Sequence, residues 1–110
     1  MNVIYLFMSS NAALILDKMI IPQIQAETHG ANVVGLFFFA DNVHLCLPEH
    51  PIGEKLSVLA TKHGFFLACC DFCCVQRGIS GRLYPGVLEG CFPDLYRLAG
   101  ERKADHVITL

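Results

Sequence analysis

Ala31-Asn32-Val33-Val34-Gly35-Leu36-Phe37-Phe38-Phe39 is the stretch on which the fold turns. A strand with one wet face alternates apolar and polar residues. This one carries apolar side chains on successive positions, so both of its faces need cover, as in a parallel sheet packed between helices. Residues 2–8 and 65–70 read the same way, and both are rich in Val, Ile, Phe or Cys. Val87 and Leu88, among Pro85, Gly86 and Gly90, form a short fourth strand within residues 82–90, and residues 105–110 form a fifth.

Helical spacing separates these runs. Ser9, Ser10 and Asn11 offer capping side chains before a helix through Leu14, Ile15, Met19, Ile20 and Ile24 to about His29, with Gly30 as its stop. Pro22 falls inside it and should kink or break it, because proline lacks the amide hydrogen and clashes with the preceding turn. Residues 41–51 read as a loop. Residues 53–63 return to helical spacing up to Gly64, residues 72–77 make a helical turn or two, and residues 93–103 form the last helix. Strands and helices alternate, which predicts one three-layer α/β/α domain over residues 1–110, with a mainly parallel five-stranded sheet buried on both faces and right-handed crossovers.

Composition limits what such a domain can do. The 110 residues leave room for one core, and the chain is 54% hydrophobic but only 16% charged, against a typical charged content of about 25%. The longest apolar run, counting glycine, is residues 33–40, whereas a membrane span needs about 20 residues. No membrane partner is expected. The N-terminal residues lack the basic region and cleavage site of a secretory signal, so a cytoplasmic location is expected. The net charge of −2 and the lack of a basic stripe argue against direct nucleic-acid binding.

Six cysteines could form a disulfide scaffold, but such scaffolds are secreted, loop-rich and poor in core residues. Four of the six, Cys69, Cys70, Cys73 and Cys74, crowd into six positions where the third strand ends. Ligand sites in open parallel sheets gather at that end of the strands. The helix start near Phe72 would favour thiolate over thiol, and Arg77 could add positive charge. Cys70 is therefore the leading nucleophile. Side chains alternate across a strand, so Cys69 and Cys70 should face opposite ways. Cys73, in C-x-x-C spacing to Cys70, could resolve a disulfide or pass sulfur onward.

Cys46 and Cys91 each stand alone in an apolar context and read as small core residues. A zinc or iron–sulfur site wants ligands from two separated groups, and beyond the C-C-x-x-C-C run the second group is missing, so no metal ligand set is assigned within one chain, while a cluster shared between subunits stays open. His63 reads as part of the helix C-cap before Gly64, and His44 is a candidate for the Cys70 rim. His29, His50 and His106 belong to no constellation. Phosphate-loop, dinucleotide-turn and nucleophile-elbow motifs are absent, and no cofactor is implied.

The stretch His63-Gly64-Phe65-Phe66-Leu67-Ala68-Cys69-Cys70, followed by Arg77-Gly78-Ile79, resembles the signature of the DsrE/DsrF-like (TusD-like) sulfur-relay proteins. In that family a helix ending in His-Gly leads into a strand that ends at a cysteine, with Arg-Gly-Ile/Val after a short helix. The likeness extends to Phe38-Phe39-Ala40-Asp41 and to the closing Ala104-Asp105-His106-Val107-Ile108-Thr109-Leu110. It implies a sulfur carrier or sulfurtransferase-like protein, with Cys70 accepting sulfane sulfur as a persulfide. Cys73 or Cys74 would then resolve or relay it, and Arg77 would help to stabilise the anion. It also implies sulfur donor and acceptor proteins as partners and a homo- or hetero-oligomer. The additional Cys69, Cys73 and Cys74 depart from the usual relay pattern and leave two rival readings: a metal- or redox-binding cysteine module, and an interaction subunit with inert cysteines.

Overall fold

The computed structural model describes residues 1–110, and its core is the sheet the apolar runs predict. Strands β1 (Asn2–Phe7), β2 (Asn32–Phe38), β3 (Phe66–Cys70), β4 (Leu88–Gly90) and β5 (His106–Thr109) lie in the order β4-β3-β2-β1-β5, and every pairing is parallel. The 3₁₀ helix (Ala40–Cys46) and the α-helices α1 (Ala12–Ile15), α2 (Ile21–Gln25), α3 (Pro51–His63) and α4 (Asp71–Gln76) connect strands added successively in one direction. Helix α5 (Phe92–Glu101) makes the long return from one edge of the sheet to the other. With right-handed crossovers, α5 must lie on the face opposite the rest.

The packing agrees. On one face, Val3, Phe7, Val33, Leu36, Phe38, Leu67 and Cys69 pack under Leu16, Ile20, Ile24, Leu56 and Leu59. On the other, Ile4, Leu6, Val34, Phe37, Phe39, Phe66, Ala68 and Cys70 are covered by Leu95 and Leu98 of α5. The central strands β1, β2 and β3 are thus buried on both sides, but the expectation of a fully buried sheet fails at its edges. All four residues of β5 are exposed, as are Leu88 and Glu89 of β4. A ten-residue helix is about 15 Å long, whereas five strands span roughly 19 Å, so α5 alone leaves the margins of its face bare.

Three local expectations change. Pro22 breaks nothing: Leu16–Ile20 form a π-helical stretch between α1 and α2, and the backbone stays right-handed through both junctions. Widening the turn ahead of the proline makes room for its ring, which would otherwise strike the carbonyl four residues back. The helix then ends at Gln25, well before His29, and Glu27 takes a positive φ of 57°. Residues 40–46 form a 3₁₀ helix instead of a loop, tied down where the Asn42 side-chain amide donates to the Phe7 and Ser9 carbonyls at 3.2 and 3.0 Å. Asn11 makes no capping bond through its side chain; the Ser9 hydroxyl instead accepts the Asn11 amide.

Gly35 has a steric duty. The register slips between Val3 and Ile4, leaving Val34 as an extra residue in β2 and setting Gly35 opposite Phe66. A Cβ at Gly35 would come within 2.0 Å of the Phe66 ring, so the ring lies across the glycine and closes the core under α5. Gly35→Ala should therefore destabilise the domain by about 1–3 kcal/mol through overpacking. In a Phe66→Leu background the penalty should shrink. Denaturant midpoints of the two single variants and the double variant measure the coupling, and a penalty unchanged by Phe66→Leu would refute the steric account.

Candidate functional site

Two strands of the sheet run straight into helices at the same rim. Cys70, the last residue of β3, is the N-cap of α4, and Cys91, one residue past β4, is the N-cap of α5. The register pairs Cys70 with Gly90, so Cys91 emerges beside Cys70 from the neighbouring strand. The Cys70 sulfur, a carboxylate oxygen of Asp71 and the Cys91 sulfur all lie within 4.8 Å of one another. The Cys73 amide donates to the Cys70 sulfur at 3.3 Å, and the Cys73 sulfur in turn accepts the Ala40 amide at 3.3 Å. Ala40 holds a φ of 54°, a left-handed conformation that alanine seldom adopts, at the point where β2 turns into the 3₁₀ helix.

Alternation separates the clustered cysteines, as the strand reading expects. Cys70 belongs to the core under α5, Cys69 and Cys74 to the opposite core, and Cys73 touches both. Cys74 is fully buried. That burial, in the core opposite that of Cys70, leaves it no exposure for the resolving or relaying role expected of it. Cys69 and Cys46 adjoin within the same apolar layer, and the Cys46 thiol together with burial holds Cys69 firmly protonated. Burial also pushes the Cys74 thiol up to about 12. Cys46, Cys69 and Cys74 are thus core residues.

Burial dominates at Cys70 too. It pushes the thiol up to about 11 with help from the Cys73 thiol, and the Cys73 amide, which favours the anion, offsets only part of this. The expected thiolate is therefore a thiol at neutral pH. The reason is that Cys70 is only 5% exposed and α4, six residues long, has little dipole to set against desolvation. Arg77 does not supply the missing charge: its guanidinium bonds Asp41 at 2.8 Å, the Cys73 carbonyl at 3.3 Å and the Gln76 side chain at 3.2 Å. It clamps α4 to the 3₁₀ helix, and so positions the segment that carries the Cys73 amide.

Cys91 and Asp71 are the residues that sequence reasoning missed. Cys91 looked isolated because 21 positions separate it from Cys70, yet strand pairing makes the two neighbours. The available signal was Gly90-Cys91 ahead of a proline-started helix: in a parallel sheet, residues that follow adjacent strands share one rim. Cys91 also supplies the separated second ligand group that the C-C-x-x-C-C run lacks. His44 bonds the Asp41 carbonyl at 2.9 Å and makes no hydrogen bond to a cysteine. The helix C-cap belongs to Gly64, with φ 76°, while the buried His63 Nε2 has no hydrogen-bond partner. His63 lines a cavity of about 290 Å³ with His29 and Glu27, at the end of the sheet away from the cysteine rim.

No protein-family model matches the chain, and no curated protein sequence matches it significantly. Solved structures do match. The ychN protein of E. coli superposes with a TM-score of 0.71 at 24% identity, covering 99% of this chain and 97% of that one. BT1422 from Bacteroides thetaiotaomicron and MTH1491 from Methanobacterium thermoautotrophicum, both described as proteins of unknown function, give a TM-score of 0.69 at 10% and 13% identity. Each of these also covers 99% of this chain, and 94% and 97% of its own. The chain therefore has the three-layer α/β/α fold of these proteins over its whole length. No helix in it is long and apolar enough to cross a membrane.

The raised thiols set a pH dependence with a definite sign. Cys70 and Cys74 bind their protons more tightly in the folded chain than in the unfolded one, whose thiols ionise near 9. Their contribution to stability is complete below about pH 9 and is lost as pH rises through about 11 to 12. The urea midpoint should therefore fall between pH 9 and 11, and fall less in Cys70→Ser. A midpoint that is flat or rising over that window would contradict the burial described.

Proposed function

We propose that the chain is a sulfur carrier of the sulfurtransferase type, in which Cys70 accepts sulfane sulfur as a persulfide and passes it to a partner protein. The observation that carries this reading is the setting of the Cys70 sulfur: it ends a buried parallel strand, accepts a backbone amide, and has two further thiols beside it, Cys73 and Cys91. The resemblance of residues 63–79 to the DsrE/DsrF-like signature supports it, as does the fold shared with ychN. Attack on a sulfane sulfur needs the thiolate. Because burial keeps Cys70 protonated, deprotonation is part of the cost of loading, and the rate follows the thiolate fraction.

The expected roles are limited to what the side chains can reach. Cys70 is the acceptor, the Cys73 amide steadies negative charge on the sulfur, and Arg77 with Asp41 holds α4 in place. Donor and acceptor proteins would approach the rim formed by Asp71, Phe72 and Cys91, where Phe72 is 69% exposed. The exposed residues Val107 and Ile108 of β5 offer apolar area for an oligomer contact.

A specific observation also favours a second reading. Cys70, Asp71 and Cys91 present three ligand atoms of the kinds zinc takes, leaving a fourth position open. Metal content of anaerobically purified protein separates the two readings: stoichiometric zinc lost in both Cys70→Ser and Cys91→Ser favours the metal module.

For the sulfur carrier, incubation with an inorganic polysulfide should add about 32 Da, one sulfur atom, to the Cys70 peptide. Loading should accelerate up to about tenfold per pH unit between pH 7 and 9, and Cys70→Ser should abolish it. Addition confined to other cysteines, or none, on intact-mass and peptide mass spectrometry would end this reading.

A further inference from the structure

We infer that Cys91 is the resolving thiol of the site: it attacks the sulfur of a Cys70 persulfide, closing an intramolecular Cys70–Cys91 disulfide and releasing sulfide. The inference rests on the persulfide reading of Cys70 and adds a second reacting residue from another strand. In the step, a bond forms between the two Sγ atoms as the bond from Cys70 Sγ to the outer sulfur breaks. The electron pair of the broken bond leaves on the outer sulfur, which takes the Cys91 proton and departs as HS⁻. The sulfane sulfur is reduced and the thiol pair is oxidised, so no further oxidant is needed.

The geometry brings Cys91 to Cys70 and sets Cys46, Cys69 and Cys74 apart from it. Its sulfur and that of Cys70 are within 4.8 Å, on adjacent strands about 4.8 Å apart, so side-chain rotation at the rim can bring them into bonding range. Cys91 is also held in place. Its amide donates to Asp94 at 2.9 Å, and Asp94 comes so close to Gly90 that a Cβ there would meet the carboxylate at 2.5 Å. The next residue, Phe92, stacks on Phe39 with ring centroids 5.2 Å apart. Cys91 is more open to solvent than Cys70, which gives the released sulfide a way out. Cys73 is the rival by spacing, since its thiol also lies beside Cys70, and the test below separates the two; Cys46, Cys69 and Cys74 lie in the opposite core.

The test loads the full chain anaerobically with inorganic polysulfide, removes the excess, and follows the protein by peptide mass spectrometry without reduction. The expected course is decay of the Cys70 persulfide into a linked Cys70–Cys91 peptide within one chain. In Cys91→Ser, with folding checked by its thermal midpoint, the persulfide should persist at least about tenfold longer. A Cys70–Cys73 link, a link between chains, or decay at an unchanged rate in Cys91→Ser would overturn the inference.

Treatment with glutathione disulfide separates this from failure of the persulfide reading. If polysulfide never loads Cys70, that reading falls and resolution of a persulfide falls with it, but a Cys70–Cys91 link formed with glutathione disulfide would still establish the two as a dithiol pair. Absence of that link as well would remove the pairing itself.

Discussion

The structure depends on burying the backbone of β1, β2 and β3 between two apolar layers. Amides and carbonyls taken that far from water must be paired, and here they pair strand to strand, all in one direction. Parallel strands need long connections, and right-handed connections allow few arrangements. One sheet face therefore receives every connecting helix made while the chain advances, and the other receives the single return helix α5. That asymmetry explains the uneven burial, with a closed centre and open margins at β4 and β5.

The same constraint builds the site. Parallel strands end together, so residues that finish β3 and β4 share a rim however far apart they lie in the chain. Alternation along β3 then sorts the cysteines, sending Cys69 into the layer under α3 and Cys70 into the layer under α5. Burial opposes chemistry at this position. The environment that fixes the Cys70 sulfur also strips its water, and one amide contact does not restore the anion. Loss of the Cys70 proton is therefore a cost that any thiolate reaction at the rim has to meet.

Much of the fold was legible because its signals are local and strong. Consecutive apolar residues in β1, β2 and β3 exclude a wet face, Gly64 marks a helix end, and the Cys69–Cys70 alternation follows from strand geometry. The errors came from sites where a neighbour in space overrides the local pattern. Pro22 is accommodated by a π-helical turn, and residues 40–46 are drawn into a 3₁₀ helix by the Asn42 bonds to β1. Arg77 is taken by Asp41 before it can reach a sulfur. Cys74 belongs to the cluster in sequence but to the opposite core in space.

By itself the sequence determined the class of the domain, its strand count and the strand end at which the cysteines cluster, because apolar periodicity and turn residues act within a few positions of one another. Which cysteines meet was decided only by tertiary structure. Partnership across a parallel sheet is set by the register of β3 against β4, and register depends on how whole layers pack. Pairing Cys70 with Gly90 brings Cys91 to the site, and no spacing rule along the chain contains that fact.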